Sequence, residues 1–273
     1  MNQVSFAWPG GKAGALTTSW DDGTIHDRRL IDILNRHGLK GTWNLNSGRL
    51  APKGSKPTNS CVGTDEVRTL YAGHEVACHS VTHPCLNQLP DDAVAAEILE
   101  DRRALESLAG YPVRGMSLPY GVYDARVLGI LRHCGILYVR PVIHRPNFSL
   151  PADFTEWAAT CHHKDDLTSL WGKFRACNQS DKLFYLWGHS YEFDNDKNWE
   201  HIESFAALAG GTSDIWFATN MQVYDYVTAW RRLQCSLEVT SIRNPSAERV
   251  WFRVGGDLRS MGPGETGTIT TSK

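Results

Sequence analysis

The side chains with the most chemistry to offer fall into two tight groups and one outlier. Asp21 and Asp22 are adjacent in Ser19-Trp20-Asp21-Asp22-Gly23, His79 and His83 lie four residues apart in His79-Ser80-Val81-Thr82-His83, and His189 stands alone in Gly188-His189-Ser190. Two imidazoles at that spacing reach one ion if the segment makes a helical turn. With one carboxylate of the Asp pair they form a two-histidine, one-carboxylate set, a catalytic zinc arrangement that leaves a position open for water. The other carboxylate can then accept a proton from a water whose pKa a bound ion lowers to about 7. His189 can donate a proton to a leaving group. Together they are equipped to hydrolyse an amide or an ester. Separately each is weak, because Asp-Asp-Gly is also ordinary turn chemistry.

For these groups to meet, the elements around them must bring distant segments to one place. Short apolar runs at 15–19, 40–45, 74–78, 113–118, 136–140, 157–161, 183–187 and 214–218 read as strands. Helical periodicity covers 25–37, 64–73, 90–108, 124–134, 165–177, 198–209 and 223–230. Strand and helix alternate, so the fold class is α/β with a parallel sheet and helices outside, either a barrel or a doubly wound sheet. In a barrel the reactive groups gather at the C-terminal strand tips. Those tips carry Asp21 and Asp22, His79 and His83, the turn Pro119-Tyr120-Gly121, Arg140, His162 and His163, and His189. The opposite ends carry far less. After Arg232 the pattern turns β-like at 236–242, 250–254 and 266–271. The expected organisation is a barrel domain over 1–232 and a small antiparallel appendage over 233–273 that covers its flank.

The chain has 273 residues, is 41% hydrophobic and 21% charged, and carries a net charge of −2. That is ample length for a sizeable core. No basic run asks for a nucleic acid, and no apolar run is long enough to span a bilayer. Nothing at the N-terminus has the pattern of a signal peptide, so the expected location is cytoplasmic, or secreted if an export signal has been removed. Seven cysteines with no Cys-x-x-Cys spacing do not suggest a disulfide framework. Oligomeric state is not indicated.

Thr18-Ser19-Trp20-Asp21-Asp22-Gly23 resembles the first motif of the polysaccharide deacetylase family (carbohydrate esterase family four, the nodulation-type deacetylase domain). His79-Ser80-Val81-Thr82-His83 resembles its second, Leu118-Pro119-Tyr120-Gly121 the end of its third, and Leu186-Trp187-Gly188-His189-Ser190 its fifth, in the family's order. The resemblance covers residues 13–230. It implies a deformed (β/α)7–8 barrel and a divalent metal, usually zinc. It implies Asp22, His79 and His83 as metal ligands, Asp21 as general base and His189 as general acid. The Tyr120 backbone N–H would help to stabilise the oxyanion, and Leu186 would line a pocket for the acetyl methyl. The partner implied is an acetylated oligo- or polysaccharide. N-acetyl removal from an amino sugar leads, ahead of O-acetyl removal from a xylan-type ester, a small cyclic amide, and a carbohydrate-binding protein that keeps the fold.

The chain also departs from the pattern. The family's third motif usually has an arginine two residues before the proline, which orients the base; here that position is Ser117. Arg140, at the tip of the fifth strand, is the candidate replacement. The fourth motif, an aspartate followed by Asp-Trp, is not recognisable. Trp157 or Trp171 could supply its aromatic wall, and Asp153 or Asp165 its acid. Trp187 and His162 are the candidates for contact with substrate, and His163 stands beside them.

Overall fold

A computed structural model describes residues 4–54 and 61–269. In chain order these form β1 (Val4–Ala7), β2 (Gly14–Asp21), α1 (Asp27–Arg36), β3 (Thr42–Leu45), α2 (Val67–Leu70), β4 (Glu75–Cys78), α3 (Asp91–Ala109), β5 (Gly115–Ser117), α4 (Ala125–His133) and β6 (Tyr138–Arg140). There follow β7 (Cys161–His162), α5 (Leu167–Ala176), β8 (Leu183–His189), α6 (Ser190–Asn195), α7 (Trp199–Gly210), β9 (Ile215–Phe217) and α8 (Asn220–Arg231). The last part of the chain holds β10 (Gln234–Cys235), β11 (Ser241–Arg243), β12 (Val250–Val254), β13 (Asp257–Met261) and β14 (Thr266–Thr268).

The expected alternation forms one eight-stranded parallel sheet in the order β6-β5-β4-β3-β2-β8-β7, with β9 also paired to β2. All eight residues of β2 are buried, as a strand covered on both faces requires. The sheet curls into an incomplete barrel. Laid flat, β6 and β2 would lie four strand spacings apart, about 19 Å, yet the Arg140 guanidinium of β6 bonds to Asp21 of β2. The expected strand at 157–161 divides its pairing. Trp157 N–H donates to Val139 O (2.9 Å), whereas Thr160 N–H donates to Tyr185 O (2.8 Å). This segment spans the gap between β6 and β8.

Alternation along each strand sorts side chains into two environments. Leu16, Trp20, Trp43, Val76, Met116, Val139 and Leu186 pack with helix residues such as Leu30 and Leu34. The other parity faces the concave side and is largely polar: Thr17, Ser19 and Asp21, then Thr42 and Asn44, Glu75, Ser117, Arg140 and Tyr185. The cost of burying polar side chains there is offset by their hydrogen bonds to one another, although Asn44 Oδ1 and Arg140 Nη1 have no partner among the described residues. Glu75, for example, accepts from Tyr138 Oη (2.7 Å), Thr42 Oγ1 (2.9 Å) and Met221 N–H (2.8 Å).

The β-type tail makes two antiparallel sheets, β1-β12-β13 and β10-β11-β14. Val4–Ala7 joins the first of them, a participant that local pattern did not reveal. The sheets seat on the barrel through α8: Tyr226 Oη donates to Ala7 O (2.5 Å) and accepts from Trp251 N–H (3.0 Å). Of the strand expected at 266–271, residues 270 and 271 lie outside the described residues, as do 55–60 of the loop at 46–63. All seven cysteines are free. Among the described residues no helix is long and apolar enough to cross a membrane.

Candidate active site

Asp21 is the last inward-facing residue of β2. Strict alternation would send Asp22 to the opposite face, but Asp22 takes the left-handed conformation (φ 79°) and both carboxylates approach the same histidine. His79 Nε2 lies 3.9 Å from Asp21 Oδ2 and 3.8 Å from Asp22 Oδ1.

His79 and His83 converge as expected, though not on a helical turn. They sit on a loop in which Ser80 (φ 64°) and His83 (φ 62°) are both left-handed. Side chains reach in to hold this shape: Asn46 Nδ2 donates to Ser80 O (3.0 Å), Ser80 Oγ accepts from His83 N–H (3.1 Å), and Asp101 Oδ2 accepts from His79 N–H (3.1 Å). Tyr120 is left-handed too (φ 57°), and its ring packs edge-to-face with that of His83, centroids 4.6 Å apart. Left-handed non-glycine residues cost of order 1–3 kcal/mol each and concentrate at functional sites. Asp22, Ser80, His83 and Tyr120 are four of the six such residues among those described.

The residues fit a divalent cation. One ligand atom each from Asp22, His79 and His83 lies within 4.8 Å of the others. Asp22 Oδ1 is buried without a hydrogen-bond partner among the described residues, 3.7 Å from His83 Nε2. His79 Nδ1 donates to Ser117 O (2.8 Å), which leaves its Nε2 as the bare donor. Burial lowers the pKa of His79. Burial, then the neighbouring His79, brings that of His83 to about 4. Both imidazoles are neutral near pH 7, the form that binds a metal.

Asp21 lies as close to His79 but is otherwise engaged. Its Oδ1 accepts from Arg140 Nη2 (2.6 Å), Asn44 Nδ2 (2.8 Å) and Ser117 Oγ (3.0 Å). Its Oδ2 accepts only from Arg140 Nη2. Arg140 is fully buried, bonds through Nε to Ser19 Oγ (3.2 Å), and lies 4.3 Å over the Trp187 ring. Burial pushes the Asp21 carboxyl upward, but the Arg140 charge, aided by His79 and His189, outweighs this and holds it well below the usual carboxylate range. Ser117 and Arg140 are directly opposite on β5 and β6. The guanidinium therefore comes from the strand next to the one the family pattern uses.

His189 is the register partner of Asp21 on β8. Its Nδ1 lies 3.0 Å from Glu192 Oε2, so the other ring nitrogen is free to face a substrate. That oxygen also meets His163 Nε2 (2.8 Å) and His162 Nε2 (3.3 Å), while Lys164 Nζ takes Oε1 (3.0 Å). Burial disfavours the His189 cation, but the Glu192 hydrogen bond and the charges of Asp21 and Asp22 overcome it and raise its pKa. Glu192 escaped the sequence reading because 190–198 reads as a loop; residues 190–195 are in fact helix α6. The available signal was a carboxylate three residues beyond a strand-tip histidine. Asn44, inward on β3, was missed as well.

Other expected residues fall less close to the centre. Trp187 is buried beneath Arg140, with its Nε1 donating to His144 Nε2 (2.7 Å), and His162 packs against it (4.6 Å). Leu186 has the opposite parity and packs in the helix-facing core, apart from these groups. Trp157 and Trp171 are core residues. Asp153 pairs with Arg132, and Asp165 accepts from His162 N–H.

Residues 9–139 match the family described as Polysaccharide deacetylase. The matched span is just under half of the chain and carries Asp21, Asp22, His79, His83 and Tyr120. The chitooligosaccharide deacetylase of Bradyrhizobium sp. is 30% identical over 112 residues, which is 40% of this chain and 47% of that one. The chain thus spans about half the length of that relative. Among solved structures, one from Mycobacterium smegmatis assigned as a polysaccharide deacetylase matches with TM-score 0.62 at 17% identity, over 85% of this chain and 96% of that one. A family 4 acetyl xylan esterase from Clostridium thermocellum, in complex with a cobalt ion, matches with TM-score 0.53 at 13% identity, over 77% and 90%. These likenesses establish the deformed barrel.

Proposed function

We propose that this chain is a divalent-metal-dependent hydrolase of the polysaccharide deacetylase family that removes acetyl groups from a carbohydrate, with an N-acetylated amino sugar as the leading substrate. The observation that carries the reading is the division of labour between two adjacent carboxylates. Asp22 Oδ1 has no hydrogen-bond partner and faces two imidazoles, whereas Asp21 is held ionised by a buried guanidinium. A structural turn needs neither arrangement. A cation held by Asp22, His79 and His83, zinc by preference, would supply Lewis acidity to an attacking water and to the acetyl carbonyl.

The chain's own residues do the rest. Asp21 Oδ2, the less occupied of its oxygens, takes the proton of the attacking water. Arg140, Asn44 and Ser117 keep that carboxylate oriented. The Tyr120 N–H, presented by its left-handed turn, donates to the developing oxyanion. His189 donates its proton to the departing nitrogen or oxygen, so that amide and ester acetyls are open to the same machinery. Glu192 holds the imidazole and favours its charged form.

Zinc-loaded protein is expected to release acetate from acetylated chitooligosaccharides, to lose at least ~99% of that activity on chelation, and to regain it with zinc. No acetate from chitooligosaccharides, acetylated xylan or peptidoglycan fragments, with tight sugar binding retained, would instead identify a carbohydrate-binding protein on this fold. The role of Glu192 has its own signature. A folded-state pKa raised on His189 keeps the acid protonated to higher pH. The Glu192→Gln variant should therefore lose kcat/KM at a lower pH than the parent. Superimposable alkaline limbs would remove Glu192 from the mechanism.

A further inference from the structure

A second set of side chains able to ligate a metal lies apart from Asp22, His79 and His83. One ligand atom each from His162, His189 and Glu192 lies within 4.8 Å of the others. They come from β7, the end of β8 and α6. Glu192 Oε2 is 3.3 Å from His162 Nε2 and 3.0 Å from His189 Nδ1. Neighbouring ligand atoms on a tetrahedral zinc, each bound at ~2.0–2.2 Å, lie about 3.4 Å apart, so these two edges are close to what an ion requires. All three residues are only partly buried, which leaves them open to an ion from solvent. His163 Nε2 is 2.8 Å from the same Glu192 oxygen but fully buried. It would stay as a donor to the ligating carboxylate, the kind of outer contact that orients metal ligands.

Two features weaken the site. Lys164 Nζ, on a side chain that is 46% exposed, sits 3.0 Å from Glu192 Oε1, where its charge opposes a cation. His162 Nδ1 accepts from Lys164 N–H (3.3 Å), so the ring proton is on Nε2 and must move to Nδ1 before Nε2 can bind. The site therefore fills only when zinc exceeds what Asp22, His79 and His83 hold.

We propose that His162, His189 and Glu192 form a second, weaker zinc site whose occupation switches the hydrolase off. The inhibition, unlike the binding, rests on the reading of His189 as the general acid. With an ion on its Nδ1, the proton that Nδ1 shared with Glu192 goes to water and the ring keeps one proton, on Nε2. Giving up that last proton would leave an imidazolate instead of a neutral imidazole, so the ring no longer serves as an acid near neutral pH.

The test is equilibrium dialysis of the whole chain against rising zinc, with bound metal and acetate release measured on the same samples. The parent should take up a second zinc after the first, with acetate release rising with the first and falling with the second. His162→Ala should keep the first zinc, bind the second at least about a hundredfold more weakly, and lose the fall in activity. Glu192→Gln, which puts an amide where the ligating carboxylate was, should lose the second zinc as well and serves if His162→Ala does not fold. Lys164→Met removes the opposing charge and should tighten the second zinc about tenfold. A parent that binds one zinc across the range overturns the site. So does a second zinc held equally by His162→Ala and Glu192→Gln, which would place it elsewhere, on the exposed Cys235 for example, and so does an unchanged second affinity in Lys164→Met. Two zincs with the predicted variant pattern but no acetate from any acetylated sugar leave the site standing and remove the catalytic reading. One zinc with acetate release that excess zinc does not depress does the reverse.

Discussion

Replacing Arg140 with alanine is expected to lower kcat at least a hundredfold. The guanidinium touches both oxygens of Asp21, and no other cation does so among the described residues. Without it, only the smaller pull of His79 and His189 is left to oppose burial, and the carboxyl moves toward the neutral form, which cannot accept a proton. A correctly placed general base contributes ~10²–10⁴-fold, and that contribution would go. Stability should fall too, because a buried charge left without its partner costs about 3–5 kcal/mol. Arg140→Lys should restore part of the stability and little of the activity, because a single ammonium cannot reproduce the planar fork that also reaches Ser19 and lies on Trp187. Circular dichroism and thermal melts establish that each variant is folded. A folded Arg140→Ala protein whose activity stays within threefold of the parent would show that Asp21 does not depend on Arg140.

The second large effect separates the two neighbouring carboxylates. Asp22→Ala removes one of the three proposed ligands, so zinc affinity should drop by more than the ~10–100-fold typical of losing a residue behind the ligands. Added zinc should recover little turnover. Asp21→Asn should keep close to one zinc per chain and lose ~10²–10⁴ in kcat. Elemental analysis after equilibrium dialysis reads the metal, and acetate release reads turnover. The opposite result, zinc lost from Asp21→Asn and kept by Asp22→Ala, would exchange the roles. Both side chains approach His79 within 4 Å, so distance alone does not separate them. What separates them is that Asp21 is held by Arg140, Asn44 and Ser117, whereas Asp22 Oδ1 has no hydrogen-bond partner among the described residues.

Much of this centre is legible in the sequence, because strand tips are local features. Asp21 and Asp22, His79 and His83, Tyr120 and His189 each follow a short apolar run, and the barrel brings those ends together. The reason given for the histidine pair was incomplete. The spacing of four works on a loop with two left-handed residues, a conformation that no periodicity announces. Contacts between inward residues of distant strands are less legible. Arg140 is 119 positions from Asp21, and Ser117 is 96. Position at a strand tip suggested Arg140; nothing local pointed to Asn44 or to the Ser117 carbonyl behind His79. Glu192 was hidden by a polar segment that folds as helix α6 only against its surroundings, because a six-residue helix has no stability of its own.

The pairing of β1 with β12 also bears on how the protein comes to be made. Val4 lies opposite Val254, so β1 waits for a strand translated roughly 250 positions later. At ~5–20 residues per second, that interval is roughly 10–50 s. During it the parallel strands from β2 to β9 have all emerged, while Val4–Ala7 has no partner. Closing so long a loop is entropically unfavourable until the barrel has already brought its ends together. β1 is thus expected to dock after the barrel strands that follow it, and the β1–β12 clasp to close on a barrel already formed.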